Sequence, residues 1–265
     1  MTRRHFTFAC ERKTLVGTLD EAPGAVGLLI VTGGNETRAG AFSGQAHMAA
    51  RIAAAGYPVL RFDRRGVGDS SGENAGFTGS GADIAAAIAA LRREQPQVSR
   101  VVAFGNCDAA SALMLAKGAG LDALALANPW TFDAVEEAPP PDAVRRRYAE
   151  KLRDPRELVR LVTGGVSLKK LASGVIRALS PAAPPSTLLG HMQAGMADYA
   201  GPVRYLIAER DRTGQAFMAA WPESVGHWQI CAGGDHAFSS NSARDWFFNQ
   251  LCAILHEQAG KLDVG

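Results

Sequence analysis

Cys107, Asp211 and His236 have the residue types, and the order along the chain, that nucleophilic acyl chemistry needs. A thiolate attacks a carbonyl carbon. An imidazole takes and returns the proton, and a carboxylate holds that imidazole in the productive tautomer. Cys107 lies in VVAFGNCDAAS, where the apolar run 101–104 turns sharply at Gly105 into an alanine-rich stretch. A strand that turns tightly into a helix is how a G-x-S-x-G elbow exposes its nucleophile, and Gly105-Asn106-Cys107-Asp108-Ala109 has that shape. Sulfur replaces the usual hydroxyl, and Ala replaces the last Gly. A buried cysteine packing as a small hydrophobe would explain Cys107 alone.

The partners change that balance. Asp211 ends the run VRYLIAERD, just beyond a strand, and His236 sits in the Gly-rich turn CAGGDHAFSS ahead of the closing helix. Taken singly, Asp211 reads as a helix N-cap and His236 as a loop histidine. Glu209 and Asp235 are rival acids, and Ser111, one helical turn past Cys107, is a rival nucleophile. Mid-helix hydroxyls usually bond back to the backbone, which argues against Ser111. His47, His191, His227 and His256 have no metal-ligand spacing with another His or Cys. No metal or other cofactor is expected.

The loop Thr32-Gly33-Gly34-Asn35 follows the first central strand. Its glycines let backbone N–H groups turn toward a carbonyl oxygen, so Gly34 and Asn35, with the N–H of Asp108, form the candidate oxyanion hole. Gly33, Arg38 and Trp130 are the candidate substrate-binding residues. The segment from Asp63 to Ser70 (DRRGVGDS) matches neither G-x-G-x-x-G nor a Walker loop, so no nucleotide site is read there.

The elements that must position these groups follow from periodicity. Residues 5–9 and 14–19 read as an opening antiparallel hairpin. Short buried strands are expected at 26–31, 59–62, 101–104, 123–127, 203–208 and 228–231, where apolar residues run without alternation. Helices are expected at 45–55, 83–93, 108–117 and 244–257. Alternating strands and helices imply a mostly parallel sheet with right-handed crossovers. No strand is read between about 130 and 199, which begins with EEAPPPD, continues through AVRRRYAEKLRDPRELVRLVTGG and ends with SPAAPPS. This reads as a helical cap (lid) over the sheet edge. Its arginines and lysines suit the solvated faces of amphipathic helices, or alternatively a basic lid that attracts an anionic substrate.

Bulk properties exclude several function classes. With 265 residues and a formal net charge of +2, the chain has room for one large domain and no basic field for nucleic acid. The N-terminus lacks the apolar stretch of a signal peptide, and no run approaches the ~20 apolar residues of a membrane span. Four scattered cysteines fit a reduced, cytoplasmic protein better than a disulfide framework.

Together, LIVTGGN, RFDRRGVGDSSG, FGNCDAAS and GGDHAFS resemble the α/β-hydrolase superfamily across nearly the whole chain. More narrowly, the CDAAS elbow, the TGGNETRAG loop and the Arg-rich cap resemble the exosortase A system-associated hydrolase 1 family. The superfamily resemblance implies an α/β fold with an eight-stranded, mostly parallel sheet and a triad carried by Cys107, Asp211 and His236. The core would comprise 1–129 and 200–265, with 130–199 as the cap. The implied activity is hydrolysis of an ester or thioester of a small acyl substrate through an acyl-enzyme. Acyl transfer to a sugar or other alcohol is the alternative, and a non-catalytic binding protein on the same fold is a third. The physiological substrate and oligomeric state stay open.

Overall fold

Each residue from Val26 to Val31 is buried, because this strand is covered on both faces. The structure is a computed structural model that describes residues 2–118, 120–132, 187–221 and 228–262. Eight strands form one sheet: β1 (Arg3–Cys10), β2 (Lys13–Asp20), β3 (Val26–Val31), β4 (Val59–Phe62), β5 (Arg100–Asn106), β6 (Ala123–Ala127), β7 (Val203–Ala208) and β8 (Trp228–Cys231). Their spatial order is β1-β2-β4-β3-β5-β6-β7-β8. β1 pairs antiparallel with β2, and β2 with β4; every other pair is parallel.

The strand alternation separates two cores. Leu29 and Val31 face one side, with Ile84 and Leu91 of α2 (Gly81–Glu94), Leu113 of α3 (Asp108–Leu115) and Met192 of α4 (Thr187–Ala197). Leu28 and Ile30 face the other, with Ile52 of α1 (Gly44–Ala54) and Leu251 and Ile254 of α6 (Asn241–Gly260). Burying each such side chain is worth roughly 1.5–3 kcal/mol, more than an exposed ion pair contributes. The layers are therefore fixed by pattern, not by surface charge.

The expected strands all form, and the hairpin strands run longer than their apolar cores. α2 stops at Glu94, because Gln95 precedes Pro96 and leaves the helical region at φ −132°. Among the described residues, α5 (Arg212–Ala220) was not foreseen, and α4 was expected only as part of a helical cap. α5 contains Gly214, where a Cβ would come within 2.6 Å of Asn128 Oδ1. The glycine that weakens the helical signal is the residue that lets the helix approach β6. Of the proposed cap, residues 130–132 and α4 are described, and α4 packs on the same core as α3. The basic stretch between 145 and 177 lies outside the described residues. No helix among the described residues is long and apolar enough to cross a membrane.

Candidate active site

β5 delivers Cys107 into a conformation that few side chains adopt. Its φ is 61° and ψ −125°, and α3 begins at the next residue. Such backbone costs on the order of 1–3 kcal/mol and is kept where the surrounding structure imposes it. Here the Cys107 N–H donates to the Ala127 carbonyl at 2.9 Å, tying the turn to β6. At Gly105 a Cβ would lie 2.7 Å from the Ala109 carbonyl group, so only glycine lets α3 double back this closely. Ser111 is fully buried, and its hydroxyl donates to the Trp130 carbonyl at 2.7 Å. It belongs to the backbone, not to the cleft.

His236 reaches the elbow from the loop between β8 and α6. Its imidazole pairs with the Asp211 carboxylate, and it shares one cleft with Cys107. Nδ1 lies 3.1 Å from Asp211 Oδ1. The other carboxylate oxygen, Oδ2, accepts from the Gly214 N–H at 3.0 Å and caps α5. Asp211 is thus a helix cap and a histidine partner at once. The rival acids are engaged elsewhere: Glu209 accepts from the Gly233 N–H at 2.6 Å, and Asp235 accepts from Ser239. Those Ser239 hydrogen bonds hold the Asp235 carboxyl below its ordinary range.

The Asp211 carboxylate, then Cys107, pushes the His236 pKa up to about 10, against the opposing effect of burial. A histidine whose folded-state value is raised stabilises the fold fully below its unfolded value of about 6.5. That contribution is lost as pH rises through about 10. Thermal melting of the protein and of Asp211→Asn should therefore differ more at pH 6 than at pH 10. A gap that stays constant or widens toward pH 10 would mean that Asp211 stabilises the fold only as the cap of α5.

An amide chain absent from the sequence reading braces this centre. Fully buried Asn128 accepts from the Ala208 N–H at 2.8 Å and donates to Asn106 Oδ1 at 3.1 Å. Asn106 in turn donates to the His236 carbonyl at 3.0 Å. The chain links the ends of β5, β6 and β7 to the histidine loop. Both asparagines sit at strand ends, where sequence alone makes them look like ordinary turn residues.

The oxyanion loop holds a further surprise. Gly34 N–H donates to the Asp108 side chain, at 2.9 Å to Oδ1 and 2.8 Å to Oδ2. A Cβ on Gly33 would sit 2.2 Å from Asp108 Oδ1. The residue chosen for its N–H thus also places its carboxylate on the neighbouring donor. Buried Arg64 steadies the loop by donating to the Gly34 carbonyl, and to Ser80 Oγ at 2.9 Å. Asp108 begins α3, so its own N–H has no carbonyl one turn earlier within the helix.

A cleft of about 640 Å³ opens over these groups. Gly33, Gly34, Asp108, Cys107 and His236 line it, together with Trp130, Phe132, Phe77 and Leu188. Trp130 donates its indole N–H to the Phe132 carbonyl at 2.8 Å, which fixes its ring on the apolar wall. Arg38 does not line the cleft. Its guanidinium is spent on Asp63 and on Asp69, the latter at 2.8 Å, and its N–H donates to Asp63 Oδ1 at 2.5 Å. The turn 66–70 wraps the same buried Asp63 carboxylate, which explains Gly68 without a nucleotide, while Gly66 lies against the backbone of Asn74. Asn35 is exposed, its side chain accepting from Asn74 at 2.8 Å. Among the described residues, no group of three or more His, Cys, Asp or Glu side chains could hold a metal.

Solved structures share this architecture at low identity. GrgF, an alpha/beta hydrolase from Penicillium sp. sh18, matches with a TM-score of 0.62 and 18% identity over 97% of this chain and 96% of its own. The esterase Pf2001 of Pyrococcus furiosus gives 0.59 and 15%, over 97% and 91%. Proline iminopeptidase from Mycobacterium smegmatis gives 0.59 and 16%, over 98% and 100%. No curated protein matches the chain. Residues 28–250, which carry every strand from Leu28 of β3 onward as well as the elbow and the histidine loop, match the model of the alpha/beta hydrolase family, and the chain belongs to that family.

Proposed function

We propose that the protein is an acyl hydrolase that cleaves an ester or thioester through a cysteine-bound acyl-enzyme. The observation that carries this reading is a cysteine held at positive φ that lines one cleft with an imidazole paired to a buried carboxylate. Cys107 and His236 work as a thiolate–imidazolium pair, with the thiol proton resting on the imidazole whose pKa is pushed up to about 10, and Cys107 Sγ attacks the acyl carbon. Asp211 fixes the tautomer, with Nδ1 facing the carboxylate and Nε2 left for proton transfer. The N–H groups of Asp108 and Asn35 stabilise the oxyanion, and that of Gly34 joins them when the Asp108 carboxylate turns away. His236 then protonates the leaving group and activates the water that frees the acid. The apolar wall of Trp130, Phe132 and Phe77 receives the acyl chain.

The neighbours include an esterase and an iminopeptidase, which agrees with acyl chemistry on this fold. The narrower likeness to the exosortase A system-associated hydrolases rests on the elbow, the glycine loop and the basic cap, and is part of the same proposal. Four unpaired cysteines fit a reducing, cytoplasmic setting. Transfer of the acyl group to an alcohol uses the same intermediate, and a second cleft beside the histidine loop gives an acceptor room.

The test is intact-mass trapping with p-nitrophenyl esters and acyl thioesters of increasing chain length. Turnover should come with an acyl adduct that maps to Cys107. Turnover without that adduct would overturn the cysteine mechanism. No turnover and no adduct on any substrate would leave the binding-protein reading in its place.

A further inference from the structure

A second cleft, about 480 Å³, abuts the first. Glu36, Gln45 and Asn106 line both, so they form the shared wall. The second cleft begins at Ala237, the residue after His236, and runs between α1 and α6. It lies on the sheet face opposite α3 and α4.

We propose that this cleft is the leaving-group subsite, and that it selects a thiol or alcohol bearing an anionic group. The proposal rests on the acyl-hydrolase reading. The position follows from the reaction. Cys107 Sγ bonds to the acyl carbon, the bond from that carbon to the leaving sulfur or oxygen breaks, and the proton on His236 passes to the departing atom. The leaving group must therefore lie on the histidine side of the acyl carbon, and that is where this cleft starts. In a transfer reaction the acceptor occupies the same place by reversal of these steps.

The lining gives the chemistry. Arg51 and Asp245 neutralise one another at 2.8 Å. Arg244 also lines the cleft, exposed, and no carboxylate lies within ion-pair reach of it among the described residues. Exposed His47 is the neighbouring titratable group. The remaining carboxylate, Glu36, belongs to the shared wall rather than to the Arg244 end, and burial raises its pKa. On that wall Gln45 Oε1 is buried without a hydrogen-bond donor, while its amide faces Glu36 at 3.5 Å. A buried acceptor left unpaired is costly, and an incoming hydroxyl or amide N–H satisfies it. At the rim, Phe42 is 94% exposed and held at φ 50°, with Ser43 beside it at φ 58°. A strained turn that displays an aromatic ring to water suits a surface that covers a ligand. The occupant thus has an anion at its Arg244 end and a donor group near Gln45.

Three thioesters of one acyl group test this, with leaving thiols 2-mercaptoethanol, 3-mercaptopropionate and 2-mercaptoethyl phosphate. Both anionic thioesters should exceed the neutral one in kcat/KM by about two- to fivefold at low salt, the range of an exposed charge pair. The advantage should shrink as salt screens it. Arg244→Gln should bring the ratio to about one, and Arg244→Glu should invert it. A preference for phosphate over carboxylate would identify the anion. Equal turnover of all three, or a preference untouched by either variant, overturns the subsite and leaves the hydrolase reading standing. No turnover of any of them sinks both.

Discussion

Cys107→Ala is expected to reduce acyl-substrate turnover to the level of the buffer control while the melting temperature stays within a few degrees of the parent. The chemical argument is that no other nucleophile shares the His236 proton. Ser111 is fully buried and bonded to the Trp130 carbonyl. The three remaining thiols are pushed up by burial, Cys10 to about 11, with Asp83 adding to the shift there. The structural argument is that alanine fills the elbow at the same φ and keeps the backbone N–H that bonds Ala127. Cys107→Ser should retain a small fraction of activity, since the hydroxyl can use the same histidine but is far harder to deprotonate than a thiol. An electrophile such as iodoacetamide should modify Cys107 first, and Cys107→Ala should lose the early adduct. Undiminished turnover in the alanine variant would remove Cys107 from the mechanism and direct attention to Ser111.

The fold was legible where one force dominates. Doubly buried strands such as β3 and β6 announce themselves as unbroken apolar runs, because nothing polar survives between two helical layers. The end of α2 was legible to within a residue, because Pro96 leaves the backbone before it little choice. The grouping of Cys107, Asp211 and His236 proposed as a triad was legible because each falls at or just past the C-terminal end of a strand, where an open parallel sheet presents its residues to a ligand. The missing parts are those that depend on two side chains meeting. Asn128 and Asn106 are unremarkable turn residues until β5, β6 and β7 are aligned. Asp108 was valued for its N–H, yet its carboxylate settles on Gly34. Arg38 looked like a substrate contact, but the buried carboxylate of Asp63 claims it first. A cation close to a site in sequence is no guide to its target when an acidic group lies nearer in space.

His236→Ala is expected to cost more than Asp211→Asn, on the order of 10²–10⁴ in kcat/KM for each proton-transfer role that is lost. Removing the imidazole removes both transfers: deprotonation of Cys107, and protonation of the leaving group with activation of water. Removing the charge of Asp211 leaves the ring in place. Asparagine keeps an oxygen that can accept from the Gly214 N–H, so α5 stays capped and the loop stays folded. What is lost is the carboxylate that selects the tautomer and stabilises the imidazolium. The pH profile separates this effect from simple damage. His236 is held up to about 10 chiefly by the bond to Asp211, so that value should fall in Asp211→Asn. NMR titration of the histidine ring measures it directly. If Asp211→Asn left both rate and titration unchanged while Glu209→Gln or Asp235→Asn crippled the enzyme, the orienting acid would be reassigned, and Asp211 would be only the cap of α5.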